Sequence, residues 1–597
     1  MSYVSRSSLT TCTALLLCLA TACTEQPESQ LAAVEQTSNQ PAKLTHDTHE
    51  TDYNISDPIV ARLVELQADR TPPDPSPESY GLNKDTGVFT HPVATRDSHD
   101  SMPFEGTLDY WDTKSYIKNM KVEAYYPITV EPFHTWQNIV DFDGRRYLYQ
   151  YVRRDLKIYD ITQPKDVQLL LTRGSTWGAD GGSEEENPYP EGDMFGAASI
   201  QWNKTLGKYI MIQAFEIRRF GLLKNKYQQP DKVDAIRKVK HLKGFKIYEM
   251  NGPLPEQWIL LSETTTDYKH PDAPIGEQQG SGVRDIPAYY GDKYLFVAAA
   301  PDAQHGLTEY PNDLYSAGYQ AWDVSDPSKP VFLDQLTVPG QLAGDPAHEA
   351  VFKANPRSGN RTSWMGSRMS LFIPTPVEDG GKYGYAAMGG LGFYVVDISD
   401  PTNMTVVSHL DFEPSVAGTE GDYIDISQVE KTGIVYFSGY PLNEDCWEPY
   451  KNVFMIDVND PTQPHVIGTL PRPAAPADAD FVDFCQRRGS FGPKRTGYYT
   501  QPGTPREGIL PFNFYNAGLQ VFDVSDTENP EVVAYFVPPF DTENVVEYAR
   551  GNLSHSVYVE YDRNIFWLFT NHGFYALSSP VLGEPVLGPP TTPWPAR

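Results

Sequence analysis

The sequence predicts an all-β fold in which one strand-rich unit is repeated and closed into a ring. Three observations carry that prediction. Five nonapeptides are nearly the same: LKIYDITQP from Leu156, YQAWDVSDP from Tyr319, FYVVDISDP from Phe393, VFMIDVNDP from Val453 and LQVFDVSDT from Leu519, with a degenerate sixth, FKIYEMNGP, from Phe245. Self-similarity of this kind marks a repeat architecture. The acidic position of the copies falls at Asp160, Glu249, Asp323, Asp397, Asp457 and Asp523. These stand further apart than the roughly 40–45 residues a four-stranded blade needs, so each unit has room for one blade plus long loops. Within a copy, Leu-x-Val-x-Asp alternates as a strand does, and Asp-x-Ser-Asp-Pro supplies a tight turn.

The chain opens on a secretory signal. Arg6 supplies the positive charge, Ala14 to Ala20 form a short apolar core, and Ala20-Thr21-Ala22-Cys23 closes it. The core is too short to remain as a membrane span. The small residues ending at Cys23 resemble a bacterial lipobox, with Ala20 where leucine is usual. That resemblance implies removal of residues 1–22, acylation of Cys23 and a membrane partner reached through a lipid anchor. Thr24 in place of Asp after the cysteine fits the outer membrane of a Gram-negative cell. Residues 23–102 are polar and poor in aromatics, and Thr71-Pro72-Pro73-Asp74-Pro75 holds no regular element. This stretch reads as a flexible tether with one short helical candidate, Pro58 to Ala68. A lead-in follows over 103–132, then the repeat domain over 133–580 and a tail over 581–597.

In the sixth unit, Ala479–Phe484 and Thr496–Thr500 are the apolar-aromatic runs that precede Leu519–Val524, and Glu531–Val537 closes it. A seventh unit lacks the motif. His555-Ser-Val-Tyr-Val-Glu-Tyr, Ile565-Phe-Trp-Leu-Phe and Gly573-Phe-Tyr-Ala-Leu-Ser match three strands, with Ser578 where the aspartate should stand. Met120–Thr129 (MKVEAYYPIT) reads as the missing fourth strand. The expected fold is a β-propeller of seven four-stranded blades, with six or eight as alternatives. Its ring is closed by that N-terminal strand pairing with the last blade, which removes a free sheet edge.

The units resemble LVIVD repeats, a β-propeller repeat of bacterial and archaeal surface proteins, over roughly Phe133 to Pro580. The resemblance implies a propeller at the cell surface and supplies no reaction, since propellers host unrelated functions.

A formal net charge of −30 excludes a nucleic-acid partner, which needs a basic footprint. Only Cys446 and Cys485 lie in the folded part, in consecutive units, and an oxidising compartment suggests one disulfide between them. The motif aspartates read as scaffold: Asp and Ser bond their own backbone in turns, and a catalytic group is not needed in every copy. Ligand chemistry is expected where inner strands begin, at one mouth of the central channel. His134, Arg284, Asp422 and His555 occupy that place in their units, with Asp480 the choice among Asp478, Asp480 and Asp483 for the sixth. In the fourth unit, either His348-Glu349-Ala-Val-Phe is the inner strand, or Met369-Ser-Leu-Phe-Ile is and Arg368 takes the position.

Histidines and carboxylates converging there suit a divalent metal or acid–base work, with His348, His555 and His572 as the metal ligands. No HExxH, GxSxG, paired-cysteine site or phosphate loop accompanies them. Arg487-Arg488 and Lys494-Arg495 form a local basic patch, and Asp231–Lys243 a short basic amphipathic helix inside an insertion. Three functional readings follow. The first is a propeller that binds a protein, glycan or small-molecule ligand at its channel mouth. The others are a metal-assisted hydrolase or lyase at that mouth, and a structural envelope component.

Overall fold

The structure is a computed structural model that describes residues 82–83, 88–89, 113–127, 136–152, 155–174, 197–216, 242–305, 315–342, 345–347, 366–367, 369–412, 421–439, 441, 451–481, 483–484, 487, 490–496, 501–540 and 553–595. All of them fall within one compact unit of the chain, Thr48–Arg597. They form seven antiparallel blades, as expected for a β-propeller.

Blade 1 runs Trp136–Phe142, Arg145–Val152, Asp155–Asp160 and Gln168–Gly174, from the inner strand outward. Blade 2 is Ala198–Asn203, Lys208–Phe215, Gly244–Met250 and Trp258–Thr265. Blade 3 is Arg284–Tyr289, Tyr294–Ala299, Gly318–Asp323 and Val331–Leu336. In blade 4 the strands Tyr383–Ala387, Phe393–Asp397 and Thr405–Leu410 are flanked on the inside by Phe372, which bridges Tyr385. Met369–Ile373 is therefore the inner segment of the fourth unit.

Blade 5 is Tyr423–Asp425, Ile434–Ser438, Val453–Asp457 and His465–Thr469. Blade 6 joins Ile509–Asn513, Leu519–Asp523 and Glu531–Val537 to an outer N-terminal strand, Tyr116–Lys118. Blade 7 is Ser554–Glu560, Ile565–Thr570 and Gly573–Ser578, completed by Lys121–Pro127. That last pairing runs from Gly573↔Pro127 to Ser578↔Lys121 and closes the ring as expected. Leu82–Asn83 pairs with Val88–Phe89 inside the segment read as a tether. The helical candidates Pro58–Ala68 and Asp231–Lys243, the latter except for Leu242 and Lys243, and both ends of the Cys446–Cys485 pair lie outside the described residues.

The sixth unit departs from expectation. Its second strand is Ile509–Asn513, which Pro511 had disguised, because proline argues against a strand interior. Lys494 and Arg495 lie inside that strand: the Lys494 N–H donates to the Asn513 carbonyl at 2.8 Å, and the Asn513 N–H to Arg495 at 3.2 Å. From the run read as the inner strand, Phe481 packs instead near the outer edge, where it meets Tyr116 ring to edge at 5.8 Å.

The repeated sentence is a turn specification. Asp323, Asp397, Asp457 and Asp523 each accept the N–H two residues on, at 2.8–2.9 Å, and Asp326, Asp400, Asp460 and Asp526 do so again at 2.9–3.0 Å. Two successive Asx turns thus carry the chain from the third strand to the fourth. The fourth strand then bulges at one fixed place in every blade, opposite the residues just before the motif position, from Ile158/Tyr159 to Ala576/Leu577. A bulge increases local twist, so the outer strands splay as a ring requires.

One glycine is required by the same geometry. Gly392 opens the motif strand of blade 4 at φ +90°, and an added Cβ would lie 2.3 Å from the Leu410 carbonyl oxygen of the outer strand. Gly244 in blade 2 is tighter still, at 1.7 Å from Thr264. Gly392→Ala should lower stability by about 2 kcal/mol, since both a left-handed backbone and a backbone collision oppose it. Urea unfolding of the variant checks this, and an unchanged midpoint would count against the close approach.

Candidate functional site

Strand direction alternates within a blade, so the two faces of the ring receive different connections. The first-to-second and third-to-fourth connections share one face, which carries the Asx turns. The second-to-third and fourth-to-first connections share the other. On this loop face many of the connections between strands are long, over residues 175–197, 216–243, 266–283, 300–317, 337–368, 439–452, 470–493 and 538–553, while those after Val152, Ala387, Asn513 and Thr570 are short. Inner strands begin there.

Charged and polar side chains are buried around those beginnings. Arg284, Asp285, Asp422, Lys494, Arg495 and His555 all sit in the interior, as do Gln137, Asn138, Ser199 and Ser370. Buried polar groups need partners, and here the partners reach between neighbouring blades. Ser556 donates to Gln137 at 3.0 Å, joining blade 7 to blade 1. Asn138 donates to the Ala198 carbonyl at 2.6 Å, and Ser199 to that of Tyr289 at 3.0 Å. Arg284 faces Glu216 at 3.2 Å across blades 3 and 2. Between blades 5 and 6, Lys494 lies 3.5 Å from Asp422, while Thr496 donates to Asp425 and shares a 2.7 Å hydrogen bond with Tyr423. Ser554 donates to Asn513 at 2.6 Å, linking blade 7 to blade 6. The result is a polar girdle around the loop-face end of the inner strands.

Two backbone outliers fall on it. Asp285 stands at φ +47°, beside a register shift between Arg284 and Ala288, and Tyr515 stands at φ +42° with its ring 5.9 Å from that of His555. Left-handed residues other than glycine cost energy and concentrate where a site holds them.

The electrostatics of the girdle are uneven. Burial, reinforced by the Lys494 and Arg495 cations, pushes His555 well below the usual imidazole range, so it is neutral at pH 7. Burial pushes the Asp425 carboxyl up, against the hydrogen bonds from Ser427 and Thr496. A carboxyl whose folded pKa is raised gives stability that is complete below its unfolded pKa and is lost as pH rises through the folded value. Asp425→Asn should therefore leave the protein about as stable near pH 4. As pH rises towards 7, the variant should be increasingly the more stable of the two, because the amide never has to ionise. Unfolding midpoints across that range test it; a variant equally weakened at every pH would refute the raised carboxyl.

The expected residues divide as follows. Arg284, Asp422 and His555 are on the girdle. Asp480 is not: it is exposed, two residues from Asp478, which pairs with Lys114 at 3.1 Å beside the outer edge strand. The error follows from taking Ala479–Phe484 as the inner strand, and Lys494 and Arg495 hold the position instead. His134, His348, Glu349 and Arg368 lie outside the described residues, as does Cys23. His572 is buried one strand outward from His555, bonded to Asn571 at 2.9 Å and to Tyr575 at 3.2 Å. Among the described residues no group of three or more metal-ligating side chains converges.

Part of the basic patch is structural: Arg487 donates to the Asn516 and Pro538 carbonyls and lies over the Phe540 ring at 4.9 Å. Asp285, Asp425 and Glu216 are girdle members with no motif to announce them. Asp425 alone left a trace, as the polar residue inside the short inner strand Tyr423-Ile-Asp.

Comparisons with known proteins bear on the fold. The LVIVD repeat family matches residues 380–411, which take in the outer three strands of blade 4 and the turn between the last two. No curated protein matches the chain. Among solved structures it is similar to Saccharomyces cerevisiae Sqt1, at 8% identity over 79% of this chain and 91% of that one, with a TM-score of 0.35. It is also similar to a functionally unknown protein from Desulfotomaculum acetoxidans DSM 771, at 10% identity over 66% and 84% of the two chains, with a TM-score of 0.32. With the family match lying on a single blade, this chain carries the LVIVD repeat, and it builds from it a β-propeller of seven blades.

Proposed function

We propose that the chain is a binding propeller whose loop face takes up a ligand or partner over the polar girdle. The observation that supports this reading most is the asymmetry of the two faces. Repeated Asx turns mark one, while the longest connections between strands, and the polar girdle with Arg284, Asp422, Lys494, Arg495 and His555, belong to the other. A ring needs turns on both faces to be stable, and it does not need long individual loops. Cations set in a low-dielectric wall, beside a neutral imidazole able to donate and accept, favour a ligand carrying carboxylate or phosphate groups.

The test is calorimetric titration of the protein with di- and tricarboxylates, sugar phosphates and uronic-acid oligosaccharides. One class should bind and should weaken at least tenfold in His555→Gln or Arg284→Lys. Asp326→Ala, on the turn face, should leave binding unchanged. Binding indifferent to both girdle variants, or lost equally in the turn-face variant, would sink the reading. A metal-assisted hydrolase would need His348 to meet His555, and His572 is committed to Asn571 and Tyr575.

We further propose that the propeller is held at the cell envelope by a lipid on Cys23, with the outer membrane as destination. Among the described residues no helix is long and apolar enough to cross a membrane. Cys23→Ser should release the protein from the membrane fraction, and unchanged retention would count against the anchor.

A further inference from the structure

The innermost strand of blade 1 has a free edge, and something is bonded to it. Trp136–Phe142 and Arg145–Val152 are joined by the two-residue turn Asp143-Gly144, both with positive φ. In such a hairpin the residues flanking the turn, Phe142 and Arg145, exchange hydrogen bonds, and the next pair out, Asp141 and Arg146, does not. The Asp141 N–H therefore points away from its own blade. On an innermost strand that direction is the channel.

The Asp141 N–H nevertheless donates to the Trp594 carbonyl at 2.6 Å, and the Trp594 N–H returns a 2.8 Å bond to the Asp141 carboxylate. The segment reaches that point by crossing the turn face. Leu582 is buried against blades 6 and 7, the Val586 N–H donates to the Arg563 carbonyl at 2.8 Å, and Arg563 donates to Gly588 at 3.1 Å. Arg146 then reaches the Thr592 carbonyl at 3.4 Å. The path runs inward from the third strand of blade 7 to the channel edge of blade 1.

We propose that Ser579–Pro595 is a strap that enters the channel from the turn face and caps that mouth, leaving the loop face as the way in. This goes beyond the binding reading and does not depend on it: a capped channel is a property of the fold whether or not the girdle holds a ligand.

Residue-resolved amide exchange on the full chain tests the cap. In the unaltered protein the Asp141 amide should exchange at least tenfold more slowly than Asp143 in the adjoining turn. Trp594→Asp sets a second carboxylate beside that of Asp141 and should expel the strap. Asp141 exchange should then rise at least tenfold, and so should exchange at the turn-side ends of neighbouring inner strands, Asn203 and Glu560, as water enters. Outer-strand amides in Gln168–Gly174 should keep their rates. Trp594→Gly, which removes the indole without adding charge, should give the same pattern more weakly. Equal exchange of Asp141 and Asp143 in the unaltered protein would overturn the cap. So would acceleration confined to Asp141, which describes a local brace, or uniform acceleration that includes the outer strands.

Discussion

Arg146→Met should destabilise the protein by about 3–5 kcal/mol, the cost of removing one partner from a buried ionic group. The guanidinium is fully buried where blade 7 meets blade 1. It donates to both oxygens of Asp141 at 2.8 and 2.9 Å, to Glu560 at 2.5 Å and to Asp562 at 3.0 Å. Glu560 is held in turn by Arg563 at 2.6 and 2.7 Å and by the Trp567 indole at 2.5 Å. Methionine would fill much of the volume and leave Asp141 and Glu560 facing each other with one cation fewer.

The pH dependence separates this loss from a simple packing defect. Burial works to raise the Glu560 carboxyl, but Arg563 and Arg146 overcome it and hold its pKa at about 2. A depressed carboxyl contributes stability above its unfolded pKa, lost as pH falls through the folded value. In the unaltered protein that contribution is intact at pH 7 and fades as pH falls from about 4.5 towards 2. Without Arg146 the carboxyls are easier to protonate, so the deficit of the variant should be greatest at neutral pH and shrink on acidification. Adding Glu560→Gln should restore part of the loss. Denaturant unfolding at pH 4 and 7 decides it, and a deficit independent of pH would mean that the seam is held by packing. Lysine is no substitute, because a point charge cannot serve three carboxylates as a planar fork does.

What could be read from the sequence follows the period of the repeat. The Asp-x-Ser-Asp-Pro turns are local: each side chain bonds backbone two residues away, so the sequence alone specifies them. The ring-closing strand was legible because Met120–Thr129 alternates and blade 7 lacked a fourth strand. The inner strands were not legible to the same degree. They are short and buried on both faces, so no apolar–polar alternation survives, and their polar residues answer to the next blade. Lys494 and Arg495 looked like part of a basic patch for that reason, and Ala479–Phe484 was taken for the inner strand. The fourth unit stayed ambiguous until the Phe372–Tyr385 bridge selected Met369–Ile373. Tyr116–Lys118 was missed because three residues make no pattern, although they pair as a fifth layer on blade 6, from Tyr535↔Lys118 to Val537↔Tyr116. The girdle is the product of seven strands brought together by the ring, and no stretch of sequence contains it.

Replacing both Ala124 and Tyr125 with proline should open the ring. Adjacent residues on a strand direct their N–H groups to opposite sides, so one of these two must donate to Gly573–Ser578 whichever way the ladder runs. Proline at both positions removes that donor and breaks the strand, at about 3 kcal/mol or more. The loss is amplified by position. Lys121–Pro127 supplies the outer strand of blade 7 from near the start of the propeller, while the rest of that blade comes from near its end. It is thus the covalent tie between the two ends of the ring. Tyr125 also packs its ring, tilted, against that of Tyr575 with centroids 4.6 Å apart and donates to the His572 carbonyl at 2.9 Å, and proline forfeits both contacts. Without the strand, Gly573–Ser578 becomes a bare edge of largely apolar residues, a template for pairing with another chain. The variant should therefore unfold at lower denaturant and self-associate, with early proteolytic cleavage around blade 7. A synthetic peptide of residues 113–127, added in excess, should recover much of the lost stability by mass action. That recovery distinguishes a missing strand from a damaged core. A variant that stayed monomeric with its unfolding midpoint unchanged would show that the ring holds without its tie, through the Arg146–Glu560 cluster and the packing of blade 7 on blade 1.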